Sequence, residues 1–172
     1  MATPPRKPLI DNRFRNVLLS MGACVGLMIA YYMAIGQDRI PPDTEIIYQG
    51  CLAAPCQAFR LDVAHDGTVK LLTASGPYRY HISAFALRRI LRVFKRQGFL
   101  DRDVTAYSAQ GGEACELTLH SDHRLIALTH ACGTTAPEIA KPVEALETAT
   151  RFRDIAAGNA AVMRDLQVER AP

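Results

Sequence analysis

The chain has 172 residues, enough for one compact domain and an appendage. Apolar residues make up 49% of it, which excludes a disordered chain. The formal net charge is +3, but Arg6, Lys7, Arg13 and Arg15, set against Asp11, concentrate it before residue 37. The remainder is neutral, so a nucleic-acid role loses its main support, a basic surface excess.

Residues 1–16 read as a short cytoplasmic stub. Residues 17–36, VLLSMGACVGLMIAYYMAIG, contain no charged side chain. At about 1.5 Å per residue this segment spans roughly 30 Å, the thickness of a bilayer's hydrocarbon core. A transmembrane anchor helix is therefore expected, with Tyr31 and Tyr32 towards one interface. Basic residues precede it, whereas Asp38, Arg39, Asp43 and Glu45 follow it. The positive-inside bias predicts a cytoplasmic N-terminus at a bacterial inner membrane and a domain in the periplasm. Small residues before Gly36 also suit a cleaved signal peptide, although the apolar run is longer than usual. A lipobox reading of MGAC at Cys24 leaves too short a run before the cysteine. Gly22, Gly26 and Ala30 lie on roughly one side, where small residues permit close helix packing.

Residues 37–44 form a linker stiffened by Pro41 and Pro42. EIIYQG, 45–50, reads as a strand. QAFRLDVAHDGTVKLLTA, 57–74, reads as a β-hairpin, because Phe59, Leu61 and Val63 alternate with polar residues. A three-residue loop, 65–67, faces Val63 with Val69 and Leu61 with Leu71, and gives Gly67 the left-handed position. YRYHI, 78–82, adds a strand. Ser83 is the candidate N-cap of a helix over 84–97, with Gly98 as its stop. Its apolar positions are Phe85, Leu87, Ile90, Leu91 and Phe94. Arg88, Arg92 and Lys95 lie on the opposite face, beside Arg89 and Arg96. That face is either solvated or a contact for anionic lipid or an acidic partner. A turn-rich loop, 102–112, leads to a second hairpin over 113–132. A last helix is expected over about 142–157, after Pro137 and Pro142. Residues 158–172 form a tail that extends this helix or frays.

Cys24 falls in the apolar segment. Cys51, Cys56, Cys115 and Cys132 lie beyond it, where an oxidising compartment favours disulfides. In the second hairpin, a His123–Arg124 loop sets Leu119 opposite Leu128 and Cys115 opposite Cys132. That register predicts Cys115–Cys132 and leaves Cys51–Cys56 by default. Crossed pairing is the alternative. The Cys51/Cys56 spacing is too long for a thioredoxin-type motif and one residue longer than a Cys-x-x-x-Cys copper site. A loop staple is expected, with a thiolate copper site as the alternative. His120, His123 and His130 cluster near the second hairpin without strong metal-ligand spacing. His65 and His81 read as ordinary turn or surface residues. Asp101, Asp103, Glu113 and Glu116 supply carboxylates without a spacing that demands acid–base pairing. No nucleophile elbow, phosphate loop or zinc-protease signature is present, so no enzyme activity is expected.

IIYQGCLAAPCQAFRLDVAHDGTVKLL resembles the opening of an uncharacterised bacterial domain-of-unknown-function family, number 6438. Cys51, Cys56, Phe59, Leu61, Val63, Asp66 and Gly67 match its order of residues. The helix ending in Gly98–Phe99, the second hairpin and the final helix extend the resemblance over about 45–157. The extra residue between the first cysteines and Gln57 in place of proline depart from the pattern. The resemblance implies a fold and no activity.

The fold class expected is α+β: a small antiparallel sheet of two hairpins, with two helices packed on one face, preceded by one transmembrane helix. The function expected is a non-catalytic, membrane-anchored periplasmic interaction domain over 45–157, an accessory subunit of a larger membrane complex with no cofactor. The alternative is a thiol or copper-handling assembly factor using Cys51 and Cys56.

Overall fold

The computed structural model describes residues 12–36, 39–52, 56–99, 113–133 and 136–171. The chain falls into two compact units, Met1–Asp38 and Arg39–Pro172.

The first unit contributes α1, Asn12–Gly36. The transmembrane anchor expected over 17–36 is corrected here. Among the described residues no helix is long and apolar enough to cross a membrane.

Among its described residues the second unit is built on seven antiparallel strands. They are β1 (Glu45–Cys51), β2 (Ala58–Ala64), β3 (Thr68–Thr73), β4 (Gly76–His81), β5 (Ala114–Ser121), β6 (Arg124–Ala131) and β7 (Glu169–Arg170). Their order in the sheet is β6-β5-β1-β2-β3-β4-β7. The expectation of two hairpins is thus too small. β1 joins them into one sheet, pairing with β2 on one side and β5 on the other.

Period-two alternation fixes which face is buried. Ile46, Leu61, Val63, Val69, Leu71, Leu117, Leu119 and Leu128 are all within 1% of full burial. They meet in register: Ile46 stands between Val63 and Leu119, and Tyr48 between Leu61 and Leu117. The first hairpin has the predicted register, with Val63 opposite Val69 and Leu61 opposite Leu71. Gly67 takes φ +87° in its loop, and a Cβ there would strike the Ile82 carbonyl.

Among the described residues four helices complete this unit: α2 (Ala84–Arg96), α3 (Pro137–Thr150), α4 (Phe152–Ala156) and α5 (Ala160–Asp165). The Ser83 hydroxyl accepts a hydrogen bond from the Ala86 amide at the start of α2. Leu87, Ile90 and Phe94 point into the core from α2. Leu146, Phe152, Ile155 and Val162 enter it from the later helices.

The single helix expected over 142–157 is divided. Pro142 lies inside α3, where it removes one backbone bond without ending the helix. The break comes at Arg151, whose φ is +52°. The left-handed turn swings Phe152 against Phe59, with ring centroids 5.2 Å apart. The Tyr80 hydroxyl donates to the Thr150 carbonyl at 2.9 Å, filling an acceptor that the helix end leaves open. The tail is also part of the fold. Asn159 caps α5, and β7 pairs with β4 through Tyr78–Arg170 and Arg79–Glu169. This short strand closes an edge that would otherwise expose unpaired backbone.

Tyr80→Phe should remove the bond to Thr150 and leave a buried carbonyl unpaired. The expected loss is about 1–2 kcal/mol in urea unfolding of the oxidised protein. A midpoint equal to that of the parent chain would contradict the assigned role of this hydroxyl.

Candidate functional site

The four cysteines of the sheet unit gather at one end of the sheet. β1 finishes with Gly50 and Cys51, and β5 begins beside it with Ala114 and Cys115. Cys51 is bonded to Cys56, with Cα atoms 5.0 Å apart. The Leu52 amide donates to the Gln57 carbonyl at 3.0 Å and closes the same loop. Cys115 is bonded to Cys132, also with Cα atoms 5.0 Å apart. Two disulfides mark an oxidising, extracytoplasmic setting for this domain.

Both pairings follow the sequence reading, but the register used to reach the second does not. The turn is Asp122–His123, with φ +53° and +59°, the twist favoured in two-residue hairpins. Leu117 therefore faces Leu128, and Cys115 faces His130. Cys132 lies just past β6 and reaches Cys115 diagonally, while its amide donates to the Glu113 carbonyl at 2.9 Å. The Asp43 carboxylate decides this turn, accepting from the amides of both Asp122 and His123. The His123 amide, foremost, holds the Asp43 carboxyl below the usual carboxylate range. Asp43 was not among the sequence candidates. Only the folded linker brings it to a turn 79 residues later.

Gly50 explains the close packing of this end. An added Cβ would collide with the Cys115 sulfur, and φ is +154°, where side chains are strained. One face of β1 thus abuts the buried disulfide.

His130 lies beside that disulfide and is only 3% exposed. Its ring stacks on Tyr48, with centroids 6.0 Å apart and planes 12° apart. Nδ1 is 2.9 Å from the Ala131 carbonyl, which fits a neutral ring donating from that nitrogen. Nε2 is buried with no hydrogen-bond partner among the described residues. Burial pushes the His130 pKa down, and the Ala131 bond opposes this only in part. Burial likewise raises the Tyr48 phenol, with Arg153 lowering it and Glu147 raising it.

The three hairpin histidines do not converge. His130 faces the core, whereas His120 and His123 flank Asp43 at 3.8 and 3.6 Å. Among the described residues one group has metal-ligand character: Cys51, Cys56 and Glu113, with ligand atoms within 4.8 Å of one another. A disulfide leaves its sulfurs without the thiolate charge that metal binding requires. Glu116 accepts from the Gln49 side chain at 2.7 Å. Asp101 and Asp103 lie outside the described residues.

Of the basic trio on α2, Lys95 is exposed, while Arg88 and Arg92 are half-buried. The Arg88 Nε is buried without a hydrogen-bond partner among the described residues. On α1, Gly22, Gly26 and Ala30 are exposed, and a Cβ at either glycine would meet nothing within 4 Å.

No family model and no curated protein matches the chain.

Peptide mapping without reduction should recover Cys51–Cys56 and Cys115–Cys132, with one free thiol at Cys24. Replacing Cys115 and Cys132 by serine should lower stability by about 3 kcal/mol, given the loop they close. Recovery of crossed peptides would overturn this arrangement.

His130 supplies a pH prediction. It titrates near 6.5 in an unfolded chain and lower in the fold. Below about pH 6.5 the unfolded chain therefore binds more protons. The stability gained from neutral His130 is complete above that pH and is lost as pH falls towards the depressed folded value. Denaturant midpoints measured from pH 7.5 to 5 should fall less steeply in His130→Phe than in the parent. Parallel curves would refute the assignment.

Proposed function

We propose that the chain is a non-catalytic accessory subunit, an extracytoplasmic interaction domain held within a larger membrane protein complex. The observation that carries this reading is α1. Leu19, Met21, Leu27, Met28, Tyr32 and Met33 are each more than 60% exposed. They lie around the helix instead of along one stripe, and a helix apolar on all sides is stable only inside an apolar environment. Partner helices supply one, and Gly22, Gly26 and Ala30 give them a side of close approach. The sheet domain then sits in the periplasm, consistent with its two disulfides. The resemblance to the uncharacterised bacterial family supports the same fold over 45–157 and adds no activity.

Purification of the full chain in mild detergent should yield a stoichiometric assembly with other membrane proteins. Gly22→Leu combined with Gly26→Leu should reduce that recovery about tenfold. A lone monomer in the parent preparation would remove this reading.

A second reading has its own observation, the Cys51, Cys56 and Glu113 group. If the first disulfide were opened by a dithiol reductant, two thiolates and a carboxylate would offer a site suited to a soft cation such as Cu(I). Thiol titration of unreduced protein separates the two. One thiol per chain, that of Cys24, supports the accessory subunit, whereas three thiols with bound copper support metal handling.

A further inference from the structure

α2 and α3 run beside one another and leave a groove of about 610 Å³ between them. Its floor is apolar, formed by buried Ile90 and half-buried Val93, Ala145 and Ala149. Its rim carries Arg89 and Arg96 from α2 and Lys141 from α3, all three exposed. Among the described residues none of the three makes an ion pair. Among the described residues Glu144 is the one acidic side chain lining the groove. α2 itself contains no acidic residue.

The shape selects the kind of occupant. Lining residues extend from Phe85 in the first turn of α2 to Gln97, its C-cap. That is about 18 Å at 1.5 Å per residue, a trough for an elongated ligand rather than a cup for a small one. Ala145 and Ala149 stand one turn apart and let a third helix approach closely. Arg89 and Arg96 are two turns apart, about 10 Å along the axis. Such a spacing matches carboxylates repeated along a helix better than the single phosphate of a lipid headgroup.

We propose that this trough is the docking site for an acidic amphipathic helix of a partner protein. Its apolar stripe lies on Ile90, Val93, Ala145 and Ala149, and its carboxylates face Arg89, Arg96 and Lys141. Charge complementarity at the rim sets orientation and speeds encounter. The proposal rests on the interaction-domain reading above and names the surface and partner chemistry that it leaves open.

The test uses full-length protein and a synthetic helical peptide with leucine at heptad a and d positions and glutamate at e and g. Fluorescence anisotropy should show saturable binding that weakens with added salt. The same peptide with lysine in place of glutamate should not bind. Arg89→Glu with Lys141→Glu should weaken the glutamate peptide at least about tenfold. Ala145→Trp, which fills the trough, should abolish it, while Arg60→Glu on the far sheet face should leave it unchanged. Circular dichroism melts confirm that each variant is folded, and the surface charge reversal serves if the tryptophan variant is not. No binding of the glutamate peptide, or binding indifferent to the trough variants, overturns the proposal. So does binding to phosphatidylglycerol vesicles that the trough variants abolish while the peptide fails to bind. A partner that still copurifies after such a failure leaves the accessory reading standing. A lone monomer that nonetheless binds the peptide removes that reading and keeps the trough.

Discussion

β1 must be paired on both sides, and the rest of the domain depends on that requirement. Its seven residues carry Ile46 and Tyr48 into the core and join two hairpins that are far apart in sequence. Without β5 at its second edge, β1 would expose a row of unpaired backbone groups. The connection from β4 to β5 must therefore return across the sheet, and α2 lies on that route with Leu87, Ile90 and Phe94 facing inward. Burial of one sheet face and placement of the helices are two sides of the same constraint.

The cysteine end follows from this pairing. Bringing β5 beside β1 puts Cys115 against Gly50, where only a glycine fits. The first disulfide closes the loop leaving β1, and the second fastens the chain leaving β6 to β5. His130 completes this end, held neutral by burial and stacked on Tyr48. Its position beside a bonded pair, instead of a free thiol, makes it part of the packing.

The outer surface of the helical layer is what remains for interaction. The face of α2 that does not enter the core is strongly basic. It divides between half-buried arginines, exposed Lys95 and the trough shared with α3. A basic trough above an apolar floor and an apolar α1 on a separate unit offer two chemically different contacts.

Local patterns in the sequence determined the first hairpin, its register, and the cap and stop of α2. In each case the deciding residues are neighbours: alternating Phe59, Leu61 and Val63, Gly67 in its loop, Ser83 before an apolar helical face. The correct disulfides were also legible, since a displacement of one pair in the second hairpin still leaves Cys115 within diagonal reach of Cys132. Tertiary structure alone decided the seven-stranded order, the Asp122–His123 turn, the break at Arg151 and the trough. Asp43 reaches that turn only once β1 and β5 have paired. Arg151, with no glycine to signal it, turns left-handed because Phe152 has a place in the core and Tyr80 can satisfy the carbonyl left behind. Contacts between residues some 70 or more positions apart leave no periodic trace, because their energies arise only when the sheet has closed.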